Sequence, residues 1–132
     1  MAANTTPIFL ASSALAYVQV STANANRDGT GTLGTVLAGG TNGTLVQRVR
    51  VKATVTTTGG MVRIFLSTDS GASKRLIAEL DVDAITPSAT LKTWEEEWVP
   101  ADPLILKDAT HILYASTHNA ETFNVFALGG NY

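Results

Sequence analysis

The sequence contains no cysteine, so a disulfide framework, thiol catalysis and thiolate metal sites are excluded, while any redox compartment stays compatible. Charged residues make up only 15% of the chain, and no apolar run approaches the ~20 residues of a membrane helix. No Lys or Arg precedes the short Ile8-Phe9-Leu10 apolar patch, which departs from the pattern of a secretory signal. The chain is therefore expected to be made and kept in solution. Apolar residues nowhere hold an i, i+3, i+4, i+7 spacing for three turns, and threonine occupies 19 positions, so helix is expected to be scarce.

What is present is period-two alternation. Val49, Val51, Ala53 and Val55 alternate with Arg48, Arg50, Lys52, Thr54 and Thr56, which writes a strand with one apolar and one charged face. After Thr57-Thr58-Gly59-Gly60, Met61 to Leu66 resumes as a strand rich in β-branched and aromatic residues. The same reading gives eight strands, at 15–21, 32–37, 45–56, 61–67, 75–82, 90–99, 111–117 and 122–128, with Leu104–Leu106 as an apolar plug in a connection. Asn24, Asn26, Asp28, Gly29 and Gly31 mark a loop after the first strand. At 132 residues this is one domain, divided into an N-terminal arm (1–13), a sandwich (14–128) and a polar tail (129–132). The expected fold is all-β: an eight-stranded antiparallel β-sandwich, jelly-roll-like, with an extended N-terminal arm. One hairpin, between the fourth and fifth strands, suits that topology. The short Thr57–Gly60 link is its weak point, because a same-sheet hairpin there would specify a different sandwich.

Net charge is −2, but residues 1–75 hold seven Lys or Arg against two acids, and residues 76–132 hold two against nine, so the halves carry +5 and −7. Opposite-sign strands lying side by side account for such a split more simply than a bipolar surface that orders subunits. In a jelly roll, Arg48, Arg50 and Lys52 would face Glu95 and Glu97 across neighbouring strands; in the hairpin of the fourth and fifth strands, Arg63 would meet the acidic face formed by Glu79, Asp81 and Asp83. Glu96 is the misfit: alternation groups it with Trp94 and Trp98 on the face that should be buried.

No catalytic, cofactor or metal site is predicted. His111, His118 and Glu121 are the one imidazole-plus-carboxylate grouping, in a turn and at a strand start with no sign of convergence. Glu95 and Glu97 share a face with the basic strand rather than flanking a cleft, so a salt-bridge ladder outweighs glycoside hydrolysis. No serine stands in a Gly-x-Ser-x-Gly or Ser-x-x-Lys setting, and the glycine pairs lack a following helix or P-loop lysine. The basic stripe has no interleaved aromatic residues, which argues against nucleic acid. Tyr17, Trp94, Trp98, Tyr114 and Tyr132 supply either core and interface or, as the second reading, a sugar-stacking platform.

The runs Ser21-Thr22-Ala23-Asn24 through Arg27-Asp28-Gly29-Thr30-Gly31, Arg48-Val49-Arg50-Val51-Lys52-Ala53-Thr54, and Ala115-Ser116-Thr117-His118-Asn119-Ala120-Glu121-Thr122-Phe123-Asn124 resemble small structural proteins of tailed bacteriophages and prophages. The resemblance spans nearly the whole chain and consists of strand and loop signatures. It implies a virion structural protein, a jelly-roll head decoration (cement) or minor capsid protein that is assembled in the host cytoplasm. Such a protein needs no cofactor, membrane or nucleic acid; its partners are itself, as a homotrimer or other small ring, and the major capsid protein or another virion component. The alternative is a carbohydrate-binding β-sandwich module associated with a tail or fibre. The expected interface residues are Ile8, Phe9, Leu10, Trp94, Glu96, Trp98 and Tyr132.

Overall fold

The alternation around Val49 produces the two-faced strand that its period requires. In the computed structural model, which describes residues 9–132, Val49, Val51 and Ala53 are buried while Arg48, Arg50 and Lys52 reach carboxylates on the opposite side of the sheet. Val55 lies past the strand's end and is exposed.

The described residues form nine strands and no helix: β1 Ser12–Val20, β2 Gly34–Ala38, β3 Thr44–Ala53, β4 Gly60–Ser67, β5 Arg75–Val82, β6 Glu95–Trp98, β7 Leu104–Leu106, β8 Ile112–Thr117 and β9 Phe123–Asn131. Every strand pairing is antiparallel. The first sheet has the order β1-β9-β3-β6, with β7 also paired to β3; the second has the order β2-β8-β4-β5. β4 and β5 form a hairpin within one sheet, whereas β3 and β4 lie in different sheets, so the Thr57–Gly60 link is a crossing rather than a hairpin turn. Thr57 anchors that crossing through paired backbone bonds with Ile85.

Several expected boundaries move. The count is nine strands rather than eight, because Leu104–Leu106 is itself a strand instead of a plug in a connection. It pairs with Thr44–Val46 while β6 pairs with Val49–Lys52, so β6 and β7 are two halves of one edge, interrupted where Pro100 and Pro103 have no N–H to give a ladder. The strand expected over 90–99 shortens to Glu95–Trp98. At the ends, Ser12 and Ser13 belong to β1 rather than an arm, and Gly129–Asn131 belong to β9 rather than a tail, lying between β1 and β3.

The core fills the space between the sheets with small branched side chains: Val46, Val49 and Val51 of β3 and Val125 of β9 face Val62 and Ile64 of β4 and Leu113 of β8. Trp94 joins them, 4% exposed, with its ring edge-on to Phe123 at 5.7 Å and 89°. Fully burying each valine or leucine contributes about 1.5–3 kcal/mol of transfer free energy.

Outside the core, the two sheets are treated differently. The loop of residues 21–33 roofs the second sheet: Ala23 bridges Thr117, and the Asn24 N–H donates to the Thr117 carbonyl at 2.8 Å. The Asn24 side chain organises the loop, donating to the carbonyls of Thr30 and Thr32 and accepting from the Asn26 N–H. Gly31, at φ +84°, presses against that side chain where any Cβ would collide. Under the roof Arg63 is 2% exposed; on the same outer face Phe65 and Tyr114, paired across β4 and β8, are buried too, with Gly71 and Lys74 of the β4–β5 turn against the Tyr114 ring. Among the described residues nothing comparable covers the first sheet.

Candidate functional site

The uncovered face of the first sheet is written by three cross-strand rows. Tyr17, Phe126, Arg50 and Glu97 stand in line across β1, β9, β3 and β6. Leu15, Leu128 and Arg48 form the next row, and Gln19, Asn124, Lys52 and Glu95 the third, with the Gln19 amide donating to Asn124 Oδ1 at 3.0 Å. Side chains directly opposite in a sheet share a face, so the rows divide this surface into two halves. The β1–β9 half is apolar in its first two rows, with Leu15 at 64% and Tyr17 at 72% exposure. The Tyr17 and Phe126 rings lie 5.8 Å apart at 45°.

The β3–β6 half is a charge ladder. Arg48 approaches Glu97 at 3.5 Å, Arg50 lies 3.9 Å from both Glu95 and Glu97, and Lys52 and Lys92 reach Glu95 at 3.6 and 2.6 Å. The Lys92 hydrogen bond first, then the charges of Lys52 and Lys92, hold the Glu95 carboxyl below its ordinary range. The segregated charges of the two chain halves thus meet as neighbours, and both glutamates are taken up by cations rather than by a cleft. A shallow depression of about 320 Å³ lies where the halves meet, bordered by Arg50, Lys52, Glu95, Phe126 and Leu128.

A second charged group lies beneath the roof. Glu79 Oε2 accepts from Arg63 Nε at 3.1 Å and from Arg27 Nε at 3.0 Å, so the loop of residues 21–33 is tied to β4 and β5 through one carboxylate. Burial pushes Glu79 upward, but the hydrogen bonds and charges of Arg27 and then Arg63 outweigh it and hold the carboxyl below its ordinary value.

The expected interface residues are dispersed. Ile8 lies outside the described residues. Phe9 is 77% exposed, and Leu10 lies over Gly130, where a Cβ would collide with it, while the Ala11 N–H donates to the Asn131 carbonyl at 2.7 Å. Trp94 is a core residue and offers no surface to a partner. Trp98 is half-buried against the core, beside Pro100, Pro103 and Leu104. Tyr132 is half-buried, its N–H donating to the Gly43 carbonyl at 3.1 Å. Glu96 pairs opposite Val51 and thus lies on the inward side, as alternation requires, but β6 is an edge strand and the carboxylate opens to solvent there. Of the five aromatics considered for sugar stacking, only Tyr17 is largely exposed; Tyr114 is buried with Lys74 Nζ 5.1 Å from its ring centre.

His111, His118 and Glu121 are not brought together as ligands. His111 Nδ1 accepts from the Lys107 N–H, and Glu121 Oε1 accepts from the N–H and hydroxyl of Thr58. Among the described residues no group of three or more His, Asp or Glu side chains converges in the way a metal ion needs.

Sequence reasoning missed the exposed Leu15–Tyr17 face, because alternating apolar residues on both sides of β1 look covered on both sides. The signal that separates the faces is the register partner: Leu15 and Tyr17 share their rows with Arg48 and Arg50. Comparison of the chain with protein-family models and with curated proteins finds no match to either.

Proposed function

We propose that the chain is a virion structural protein, a head decoration or minor capsid component that acts through contact surfaces rather than turnover. The observation that carries this reading is the contrast between the two outer faces. A loop roofs the second sheet, whereas Leu15 and Tyr17 leave a rigid apolar face on the first sheet open to a partner. Exposed apolar patches of that kind mark interaction sites. The virion assignment itself rests on the sequence resemblance of the loop 21–31, β3 and β8–β9 runs to structural proteins of tailed phages.

The jelly-roll reading belongs to the same proposal. With β6 and β7 taken as one interrupted strand, each sheet has four strands, only β4 and β5 connect within a sheet, and the third strand neighbours the sixth. An N-terminal arm that includes Ile8, Phe9 and Leu10 and docks on a neighbouring subunit or capsid protein completes it.

Particles purified from a lysate in which the chain is expressed test the reading. Mass spectrometry and immunogold labelling are expected to find the chain on heads in repeated copies, and Leu15→Asp with Tyr17→Asp to abolish incorporation without unfolding the subunit. Absence from purified particles would overturn it. The second reading, a carbohydrate-binding module, is favoured only by the open Tyr17 ring; it predicts glycan-dependent column retention that Tyr17→Ala removes.

A further inference from the structure

We propose that β1 is a self-pairing edge, through which two copies of the chain associate about a two-fold axis by antiparallel β1–β1 pairing that joins their first sheets into one. This goes beyond the virion reading and does not depend on it.

The two sheets present four edges, and three of them carry features that discourage strand addition. β2 is five residues long and shifts register between Thr35 and Leu37. β5 carries Arg75, Glu79 and Asp81. The β6–β7 edge carries Glu95, Glu96 and Glu97 and is broken at the prolines. β1 has none of these. It runs nine residues, Ser-Ser-Ala-Leu-Ala-Tyr-Val-Gln-Val, with no charge and no proline, and its register against β9 continues unbroken from Ser12 to Val20. Among the described residues no strand pairs with its far side. A long, regular, uncharged edge is a template for another strand.

The chemistry of β1 suits a second copy as the occupant. Two-fold antiparallel pairing sets each residue against one of the same strand, and a strand without charges brings no like charges together. With Ala16 on the axis all nine residues pair, and Tyr17 stands opposite the partner's Leu15 on the outer face, as alternation demands. The apolar half formed by Leu15, Tyr17, Phe126 and Leu128 then runs across the junction without interruption. A two-fold contact builds dimers, in place of the homotrimer that the resemblance implies.

Analytical ultracentrifugation of the full chain is expected to show a concentration-dependent dimer with a dissociation constant of about 0.1 mM or tighter. Leu15→Lys/Tyr17→Lys and Leu15→Glu/Tyr17→Glu are each expected to be folded monomers, because both positions are exposed, and to form a dimer when mixed. Ile77→Lys, on the β5 edge, is expected to leave the dimer intact. In the unmodified chain, hydrogen exchange of the Ser12–Val20 amides is expected to slow as concentration rises, which reads the pairing without any substitution. A strict monomer, a trimer, a dimer indifferent to both β1 variants, or β1 exchange independent of concentration would overturn the proposal.

Discussion

Arg63 Nε donates to Glu79 Oε2 at 3.1 Å, and it does so from a position only 2% exposed, on the outer side of a sheet whose edge neighbour supplies the carboxylate. A guanidinium cannot be neutralised by losing its proton, so its burial depends on that carboxylate and on the Asn24 carbonyl, which accepts from Nη1 at 3.5 Å. The roof over the second sheet thus supplies part of the solvation that Arg63 gives up.

Removing the anion should cost more than removing the cation. Glu79→Ala strands a buried charge and is expected to destabilise by about 2–3 kcal/mol, below the range for a wholly buried pair because Glu79 is partly wet. Arg63→Met fills the site with an apolar chain and leaves Glu79 with Arg27, so a loss of about 1 kcal/mol or less is expected. Urea titrations of both variants check the order; Arg63→Met proving the more damaging would refute this account of the pair.

Gly129 is a position of close approach. A Cβ there would collide with the Leu45 carbonyl oxygen, next to the register shift between Val46 and Arg48. Gly129→Val is expected to cost about 3 kcal/mol or more by forcing β9 away from β3. Gly59→Ala meets nothing within 4 Å and is expected to change stability by less than about 0.5 kcal/mol. Thermal unfolding of the two variants side by side separates the positions.

How much of this was legible in the sequence depends on whether a feature is local. The β3 pattern of Val49, Val51 and Ala53 against Arg48, Arg50 and Lys52 is period-two chemistry, and its buried face follows from that alone, whereas its glutamate ladder follows only once the strand of Glu95 and Glu97 is placed beside it. The Arg63–Glu79 pairing is legible too, as opposite charges in a hairpin. The burial of Arg63 is not, because it comes from a loop about forty residues away in sequence crossing the sheet. Leu104–Leu106 is too short to show a period, and the glycines of β9 resemble a tail until two neighbouring strands enclose them. The contact face was the hardest to foresee, since both faces of β1 look partly covered until the row partners of Leu15 and Tyr17 are known.

Stability should be level near neutrality and fall in acid. Asp28, held by the Thr30 hydroxyl and N–H, Asp69, held by the Ser73 N–H and the Ser67 hydroxyl, and Asp108, held by the Thr110 hydroxyl and N–H, all sit below the ordinary 3.8. Glu79 and Glu95 sit below the ordinary 4.5. A depressed folded-state pKa means that the unfolded chain binds protons first as pH drops, so the contribution is complete above the ordinary values and disappears as pH falls through the folded ones. Urea midpoints are expected to hold from neutral pH to about pH 5 and to decline below about pH 4. A midpoint that rises on acidification would contradict the assignment of these five carboxyls.

Trp94 and Tyr17 should behave as opposites although both were candidates for one surface. Trp94 meets Phe123 edge-on inside the sandwich core, so Trp94→Ala is expected to cost about 3–5 kcal/mol. Tyr17 contacts Phe126 on one side and water on the other, so Tyr17→Ser is expected to move subunit stability by less than about 0.5 kcal/mol under dilute conditions. If Tyr17 is a contact residue, its substitution should register only when a partner is present: subunit unfolding unchanged, incorporation or self-association lost. Calorimetry on the isolated chain beside a binding measurement separates these effects, and a Tyr17→Ser subunit as damaged as Trp94→Ala would place the ring in the core instead.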